Sequence, residues 1–338
     1  MLFQKNIFYI FMTCLLFQVP THGQELQPAQ DCRECHITFF NEWRESAHAY
    51  SSEWTNPLYK GMLEWAENSG GEELSITCRS CHEPARSFRE KLEIPLTVIQ
   101  EGVGCDFCHS VYLEENSNFK FAIRKDGVKL GPIKDALAGA HGCEFSKNQS
   151  RSEFCLGCHS SHPDSSPSVQ VCNSREEWQE YIKQNTRIEC QDCHMPSQEG
   201  RAASLGKIRE NIHFHKFLGG YSEKMLRTAV SMQMTAKKEQ DVTRVEIMTT
   251  NRGAGHDVPT GSVMRYLVLE VLAKNNNDNI IWRNFYTSPL KEDPAAVFMR
   301  LLEDKQGKAP VPPWEAVAER FDQRLKPGET RKLVYASL

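Results

Sequence analysis

A five-residue pattern, two cysteines separated by two residues and followed at once by a histidine, occurs five times in the chain. The copies span Cys32–His36, Cys78–His82, Cys105–His109, Cys155–His159 and Cys190–His194. In this pattern the two thiols can add to the two vinyl groups of a haem, and the histidine can supply one axial nitrogen to the iron. The sequence therefore predicts five covalent c-type haems. The anchoring residues would be Cys32, Cys35, Cys78, Cys81, Cys105, Cys108, Cys155, Cys158, Cys190 and Cys193, and the first axial ligands His36, His82, His109, His159 and His194.

Five copies cannot be an accident of composition. Random placement of 13 cysteines and 12 histidines in 338 residues would give about 0.02 copies. The main alternative is structural zinc, which is also bound by pairs of cysteines at this spacing. Zinc does not require a histidine directly after every pair, and five pairs cannot combine two by two, so haem is favoured.

Each haem iron would have one further axial position, and the remaining histidines are the candidates to fill it. Outside the motifs and the N-terminal region these are His48, His141, His162, His213, His215 and His256. A lone histidine is ordinarily a surface or packed residue, but five haems that need ligands reverse this expectation. Six candidates for five positions predict that most irons are closed by two imidazoles, an arrangement suited to electron transfer. Met195 and Met264 are further candidates, although methionine more often fills a core.

The surroundings of three candidates predict different roles. His48 follows an apolar series that includes Ile37 and Trp43 at helical spacing, so we expect it on an amphipathic helix. His162 comes only three residues after its motif and should serve a neighbouring haem. His141 lies among alanines and glycines, which would let a porphyrin approach the backbone.

Two alternatives stay open for the other candidates. His213 and His215 flank Phe214, and they would share a face on a strand but point in nearly opposite directions on a helix. They could therefore serve two haems, or one could be spare. His256 lies in a glycine-rich loop, where it either ties the C-terminal region to a haem or holds its own loop by hydrogen bonds.

Composition and periodicity predict two domains after a leader. Residues 24–238 read as an α-rich multihaem cytochrome domain with little regular structure. Residues 239–338 read as a small all-β domain, an immunoglobulin-like sandwich, because cysteine is absent and apolar residues alternate from Val242 onward. An apolar content of 40% and a mean hydropathy of −0.53 are low for this length, and apolar haem surfaces would compensate. The net charge of −4 argues against nucleic-acid binding.

Local patterns predict individual elements within these domains. Proline, glycine and capping signals predict where helices begin and end, and alternation followed by Asp-Gly predicts a hairpin. The predictions are helices at 57–68, 85–92, 175–184 and 222–237, a capping box between Ser174 and Glu177, a hairpin at 119–131 turning at Asp126-Gly127, and a polar loop at 197–206.

The N-terminus and two spare cysteines bear on the compartment. Residues 1–23 read as a signal peptide, and a retained membrane anchor is the alternative. No later stretch is apolar enough to span a membrane, so we expect a periplasmic or secreted protein. Cys143 and Cys172 are not needed for haem, and in an oxidising compartment they could form a disulfide or remain two thiols.

Beyond the motifs, the chain resembles the cytochrome c-554-type multihaem cytochromes, which are related to the haem core of hydroxylamine oxidoreductases. The matching stretches are Cys32–His36 with Trp43–His48, Cys190–Pro196, His213–Gly220 and Asn251–Gly261. The resemblance implies closely stacked haem pairs and mainly bis-histidine ligation. Five motifs do not match the haem number of either namesake, so neither reaction can be transferred.

These observations predict an electron-transfer protein whose partners are other redox proteins. One alternative is an oxidoreductase with an open haem that acts on a small nitrogen or sulfur compound, for which Arg252 and Arg265 would be candidate substrate-side residues. A second alternative is an assembly module, in which oligomers build a longer haem wire.

Overall fold

The computed structural model describes residues 26–114, 120–160, 169–170, 172–240 and 242–337. The predicted leader, His162 and residue 119 lie outside these ranges. The helices are α1 Ala29–Cys32, α2 Ile37–Trp43, α3 Pro57–Gly70, α4 Glu72–His82, α5 Leu96–Gln100, α6 Cys105–Ser110, α7 Ser152–Leu156, α8 Ser174–Gln184, α9 Cys190–His194, α10 Glu223–Ala229 and α11 Pro289–Glu292, with short 3-10 helices at Pro84–Phe88, Asn148–Ser150 and Pro294–Ala296.

The described strands are mostly short. They are β1 Val111–Leu113, β2 Phe121–Ile123, β3 Lys129–Gly131, β4 Cys143–Phe145, β5 Ser197–Arg201, β6 Ile208–His213, β7 Val230–Glu239, β8 Val242–Asn251, β9 Leu267–Val268, β10 Leu272–Lys274, β11 Ile280–Arg283, β12 Val297–Phe298, β13 Arg300–Glu303, β14 Ala318–Asp322 and β15 Thr330–Ser337. Among these, only β7, β8 and β15 have more than six residues. The helices and small sheets agree with the predicted α-rich domain of little regular structure.

The helix predicted at 57–68 is confirmed, and its boundaries follow from local chemistry. The side chain of Asn56 accepts hydrogen bonds from the backbone N–H groups of Leu58 and Tyr59, which caps the start of α3. The helix ends where Gly71 adopts a φ of 80°, a value that favours glycine. The next helix, α4, begins at once and carries the second motif at its C-terminal end.

His48 does not lie on a helix, contrary to the prediction. Helix α2 ends at Trp43, and His48 lies in the turn that follows. The turn is held from outside, because the His48 carbonyl accepts a 3.1 Å hydrogen bond from Val103 N and Trp43 Nε1 donates to Val103 O at 2.8 Å. Gly102 has a φ of 76°, and a Cβ there would lie 2.7 Å from the His48 carbonyl oxygen. The long-range contact therefore overrides the helical periodicity.

The hairpin predicted at 119–131 is wrong in its pairing. Strand β2 pairs antiparallel with β1, whereas β3 pairs in parallel with β4. The Asp126-Gly127 turn is present, with a Gly127 φ of 72°, but it connects two strands of different sheets. The positions of the strands were predicted correctly here. The strand with which each one pairs depended on the motif helices on either side.

Three further predictions of local structure are corrected. The helix predicted at 85–92 is only the 3-10 turn Pro84–Phe88. The loop predicted at 197–206 contains β5, which pairs antiparallel with β6. The helix at 175–184 is confirmed as α8, but its predicted capping box is not formed, because Asn173 is the N-cap and Glu177 binds elsewhere.

The C-terminal region contains a three-stranded antiparallel sheet in the order β15-β8-β7, flanked by two-stranded sheets. The helix predicted at 222–237 ends at Ala229, and the chain continues directly into β7, which pairs with β8 along its whole length. The sheet thus begins before the predicted boundary at residue 239. Ile247 and Phe298 lie in its buried cluster, with Leu333 packed against them. The immunoglobulin-like sandwich itself stays a prediction.

Candidate functional site

Each motif forms one turn of helix or helix-like backbone. His36 N donates to Cys32 O at 2.9 Å, and His159 N donates to Cys155 O at 3.0 Å, so the first cysteine and the histidine of a motif lie one turn apart. Cysteines three positions apart then share a face of that turn. This places both sulfurs and the imidazole on one side, as attachment of a flat cofactor requires.

All five motifs face one continuous cavity of about 2810 Å³. A pocket for a single small ligand is typically about 300–1,000 Å³, so this space is large enough for several. Every motif cysteine and histidine lines it, as do His48, His141, His213, His215 and His256. The structure therefore brings together all the predicted site residues that it describes.

Four motif histidines each face one histidine from outside the motifs. The distances between ring centres are 6.2 Å for His36 and His141, 6.3 Å for His109 and His215, 6.3 Å for His159 and His48, and 6.2 Å for His194 and His256. The spread is only 0.1 Å, although the partners come from unrelated turns and loops.

This separation is the one that two imidazoles on a shared metal ion would have. Metal–imidazole bonds are about 2.0–2.1 Å long. Ring bonds of about 1.33 Å place each ring atom about 1.1 Å from the ring centre. Two rings on opposite sides of one iron would therefore have centres about 6.2–6.4 Å apart. The four pairs match this value, so their geometry fits an axial pair around iron.

Hydrogen bonds hold most of these rings in a fixed orientation. Nδ1 of His36 faces Ala202 O at 2.6 Å, that of His109 faces Leu130 O at 2.7 Å, and that of His256 faces Asp257 O at 2.8 Å. A carbonyl acceptor places the proton on Nδ1 and leaves Nε2 with its lone pair. The other bonds of this kind are His82 to Ser51, His141 to Gly142, His194 to Leu218, His213 to Met195 and His215 to His213.

Burial keeps several rings in the neutral form that can bind a metal. Desolvation lowers the pKa of His48 and of His215 to about 3, and that of His159 to about 4. It also lowers the pKa of His109 and of His256. The buried Nδ1 of His48 has no hydrogen-bond partner among the described residues, which is costly unless another group binds there.

His82 is the motif histidine without a second imidazole at this separation among the described residues. The ring of Tyr59 stacks on it, with centres 4.2 Å apart and planes 5° apart. The Tyr59 hydroxyl is buried and has no hydrogen-bond partner within the described part of the chain. His213 lines the cavity, but the structure places no motif ring opposite it in the described pairs.

Contacts between cysteines show which motifs are neighbours. The thiols of Cys32 and Cys105 are in close contact, since each perturbs the pKa of the other, and this joins the first motif to the third. The same contact joins Cys155 to Cys190, and therefore the fourth motif to the fifth. Cys81 Sγ lies 3.8 Å from Cys158 O, which brings the second motif against the fourth. The cysteines of the third and fourth motifs are also close enough to interact electrostatically. The fourth motif thus lies at the centre of the group.

An ionic network that the sequence did not suggest holds the loop that carries His256. Arg324 is 6% exposed and forms ion pairs with Glu177 on α8, with Asp257 at 3.0 Å and with Asp322 at 2.7 Å. Asn251 Nδ2 donates to His256 O at 2.9 Å. The signal in the sequence was misleading, because the spacing of Glu177 suggested a helix cap rather than a long-range ion pair.

The arginines and methionines named as candidates have ordinary surroundings. Arg252 is exposed and donates to Arg227 O at 3.2 Å. Arg265 is exposed at the cavity rim, and its charge helps to lower the pKa of His159. Met195 and Met264 both line the cavity.

The two spare cysteines have separate surroundings. Cys143 Sγ donates to Ala136 O at 3.3 Å, and Cys172 Sγ lies 3.6 Å from Ser174 Oγ. The structure forms no disulfide between them. The disulfide alternative is therefore not supported by the folded geometry.

The described residues contain neither a compact metal-binding cluster nor a membrane-spanning helix. In the ranges given above, no group of three or more His, Cys, Asp or Glu side chains is arranged to hold a single metal ion. None of the described helices has the length and apolar character needed to cross a bilayer.

Comparison with known proteins supports the resemblance that the motifs indicated. Residues 31–110 match the family described as cytochrome c554 and c-prime. A penta-heme cytochrome c552 from Thermochromatium tepidum has a similar crystal structure, with a TM-score of 0.73 and 24% sequence identity, over 92% of this chain and 87% of that one. No curated protein matches the chain. The predicted similarity to multihaem c-type cytochromes is confirmed, and the chain shares the fold of a penta-heme cytochrome.

Proposed function

We propose that the protein is an exported electron-transfer protein that binds five covalent haems c, most of them between two histidines. The observation that carries this proposal is the set of four histidine pairs at one separation in a cavity lined by all five motifs. The similarity to a penta-heme cytochrome c552 supports the same number. Bound haem would supply reversible one-electron chemistry at its iron.

The chain's own residues would perform four tasks. The motif sulfurs would anchor the cofactors, and the two histidines of each pair would bind the iron. Backbone carbonyls orient the rings by accepting from Nδ1, as Leu130 does for His109. Apolar burial holds the rings neutral and keeps water away from the irons. The sulfur contacts keep neighbouring cofactors close together, which shortens each electron transfer.

The proposed axial pairs are His36 with His141, His109 with His215, His159 with His48, and His194 with His256. The motif contacts give a branched order, in which the first motif leads to the third, the third to the fourth, and the fourth to both the second and the fifth. Electrons that enter at any of the three ends would pass through the fourth site. Redox proteins that dock at those ends are the proposed partners, and the proposed location is the periplasm or the exterior of the cell.

The site at His82 supports a second candidate function. His162 and His213 remain candidate ligands for this iron, and His162 lies outside the described residues. If neither binds, the sixth position is open, which is the arrangement that an oxidoreductase for a small nitrogen or sulfur compound requires. Tyr59 stacks on His82 itself, so it would lie on the side of the haem opposite to the open position.

Two measurements on purified protein test these proposals. The intact mass and the haem-to-protein ratio should correspond to five covalent haems, and a mass equal to bare polypeptide would refute the proposal. Electron paramagnetic resonance should then show at least four low-spin haems. A fifth low-spin haem that cyanide and nitrite leave unchanged supports the carrier, whereas a high-spin haem that binds them supports the oxidoreductase. The fifth ligand can be identified by replacing His162 and His213 with alanine, one at a time. The replacement that creates a new high-spin signal removes that ligand.

A further inference from the structure

A buried carboxyl group lies between the first and third haem motifs and has no role in the ligation described above. Glu101 follows α5 and packs against α1 and α6, the helices that carry Cys32 and Cys105. One carboxyl oxygen, Oε2, accepts a 2.8 Å hydrogen bond from Ala29 N. The other, Oε1, is buried and has no hydrogen-bond partner among the described residues. A carboxylate in this position would leave one charged oxygen unsolvated, which is unfavourable.

The charges around Glu101 also oppose its ionisation. Asp31 on α1 and Asp106 on α6 both act on it, and both are acidic. Lys129 on β3 is the cation of this cluster, but its ammonium group forms an ion pair with Asp106. The remaining groups that face Glu101 are the thiols of Cys32, Cys105 and Cys108. These would become uncharged thioethers or stay neutral when haem is attached.

Asp106 has the partners that Glu101 lacks. It is 2% exposed, and besides Lys129 it accepts hydrogen bonds from Gln27 N at 2.6 Å and Ser110 Oγ at 3.1 Å. These partners satisfy both of its carboxyl oxygens. Burial, and after it the nearby Cys32, Asp106 and Asp31, raise the pKa of Glu101 to about 8. The pair therefore divides into one carboxyl group with several polar partners and one carboxyl group that can exchange a proton near neutral pH.

We infer that Glu101 is a proton-accepting site coupled to electron transfer at the first and third haem sites, an inference that rests on haem attachment as proposed above. For each electron that a reducing partner protein delivers to the adjacent iron, Glu101 binds one proton from the solvent at Oε1. The added negative charge on the cofactor and the added positive charge on the carboxyl group offset each other. On oxidation the electron leaves to the acceptor protein and the proton returns to solvent.

The coupling is tested by redox titration of the haem-loaded protein at several pH values, in the wild type and in Glu101→Gln. Glutamine keeps the size and the hydrogen bond from Ala29 but cannot titrate. Near neutral pH the wild-type potential of one haem should fall with pH, by up to about 59 mV per tenfold change in proton activity. Glu101→Gln should remove that dependence. An equal slope in both proteins, or no slope in the wild type, would overturn the inference.

Two controls separate this inference from the proposed function and from misfolding. The haem-to-protein ratio of Glu101→Gln must equal that of the wild type, because a loss of haem concerns attachment rather than proton binding. Asp31→Asn removes a nearby charge but leaves Glu101 titratable, so it should move the slope to lower pH without removing it. Infrared difference spectra of the wild type should show a protonated carboxyl signal on reduction. Its absence would overturn the inference even if the variant failed to fold.

Discussion

The most direct test of the ligand geometry is the replacement of His215, which lies opposite His109 with 6.3 Å between ring centres. His215→Ala removes one axial nitrogen and leaves the motif histidine in place, because the bond from His109 Nδ1 to Leu130 O does not involve His215. One haem of the proposed five should therefore change from low spin to high spin. This corresponds to about one fifth of the total iron signal.

His213→Ala is the matched control for this experiment. The two histidines flank the same phenylalanine, and each faces a backbone carbonyl with its Nδ1, at 2.5 Å for His213 and 3.0 Å for His215. They differ in one respect: among the described residues a motif ring lies opposite His215, and none lies opposite His213. The haem proposed at His109 should stay low-spin in His213→Ala, both if His213 is spare and if it serves the haem at His82.

The assay is electron paramagnetic resonance combined with the optical spectrum, before and after addition of imidazole. Free imidazole should enter the space left in His215→Ala and restore the low-spin signal. The reasoning would be refuted if His215→Ala showed no new high-spin haem. A high-spin haem in His213→Ala with full low-spin intensity in His215→Ala would refute the choice between the two.

Three further predictions concern stability. Arg324→Gln should lower the free energy of unfolding by about 3–5 kcal/mol, because it leaves buried carboxylates without their cation. Calorimetry should show a smaller loss for Arg324→Lys, and an unchanged melting temperature in both variants would contradict the prediction. Burial lowers the pKa of His48 and of His215 from 6.5 to about 3. The stability that each neutral ring contributes is therefore fully present above pH 6.5 and is lost as the pH falls, by about 2 kcal/mol per ring at pH 5. Equal denaturant midpoints at pH 7 and pH 5 would argue against this prediction. Gly102→Ala should lower the free energy of unfolding by about 1–3 kcal/mol, because φ is 76° and the added Cβ would approach Ser51 Oγ to 2.3 Å. Gly61→Ala, in open space within α3, should be neutral or stabilising. Thermal melts that rank the two variants in the opposite order would disprove this account.

Local elements were predictable where a short stretch carried its own signals. The start of α3 follows from Asn56 and Pro57, and its end follows from Gly71. Predictions failed where distant partners decided the outcome. Val230–Glu239 contains good helix formers, yet it is a strand because β8 pairs with it along its full length. Glu177 has the spacing of a capping residue, yet Arg324, 147 residues away, binds its carboxylate.

The sequence alone was enough to predict the chemistry of attachment. Thiol spacing and the adjacent histidine are local properties of five residues, so the cofactor, the anchoring cysteines and the first axial ligands could be predicted without a fold. The pool of second ligands was also visible, since it required only a count of the remaining histidines.

Only the tertiary structure decided which histidine faces which motif and which motifs are neighbours. His141 and His36 are more than one hundred residues apart, and His256 comes from the C-terminal region, yet each pair closes to about 6.2 Å between ring centres. No local signal specifies such pairings, because they depend on how the turns, strands and buried ion pairs pack around a shared cavity. The same packing placed Glu101 beside two motifs, where a carboxyl group that looks ordinary in the sequence has one buried oxygen without a hydrogen-bond partner among the described residues.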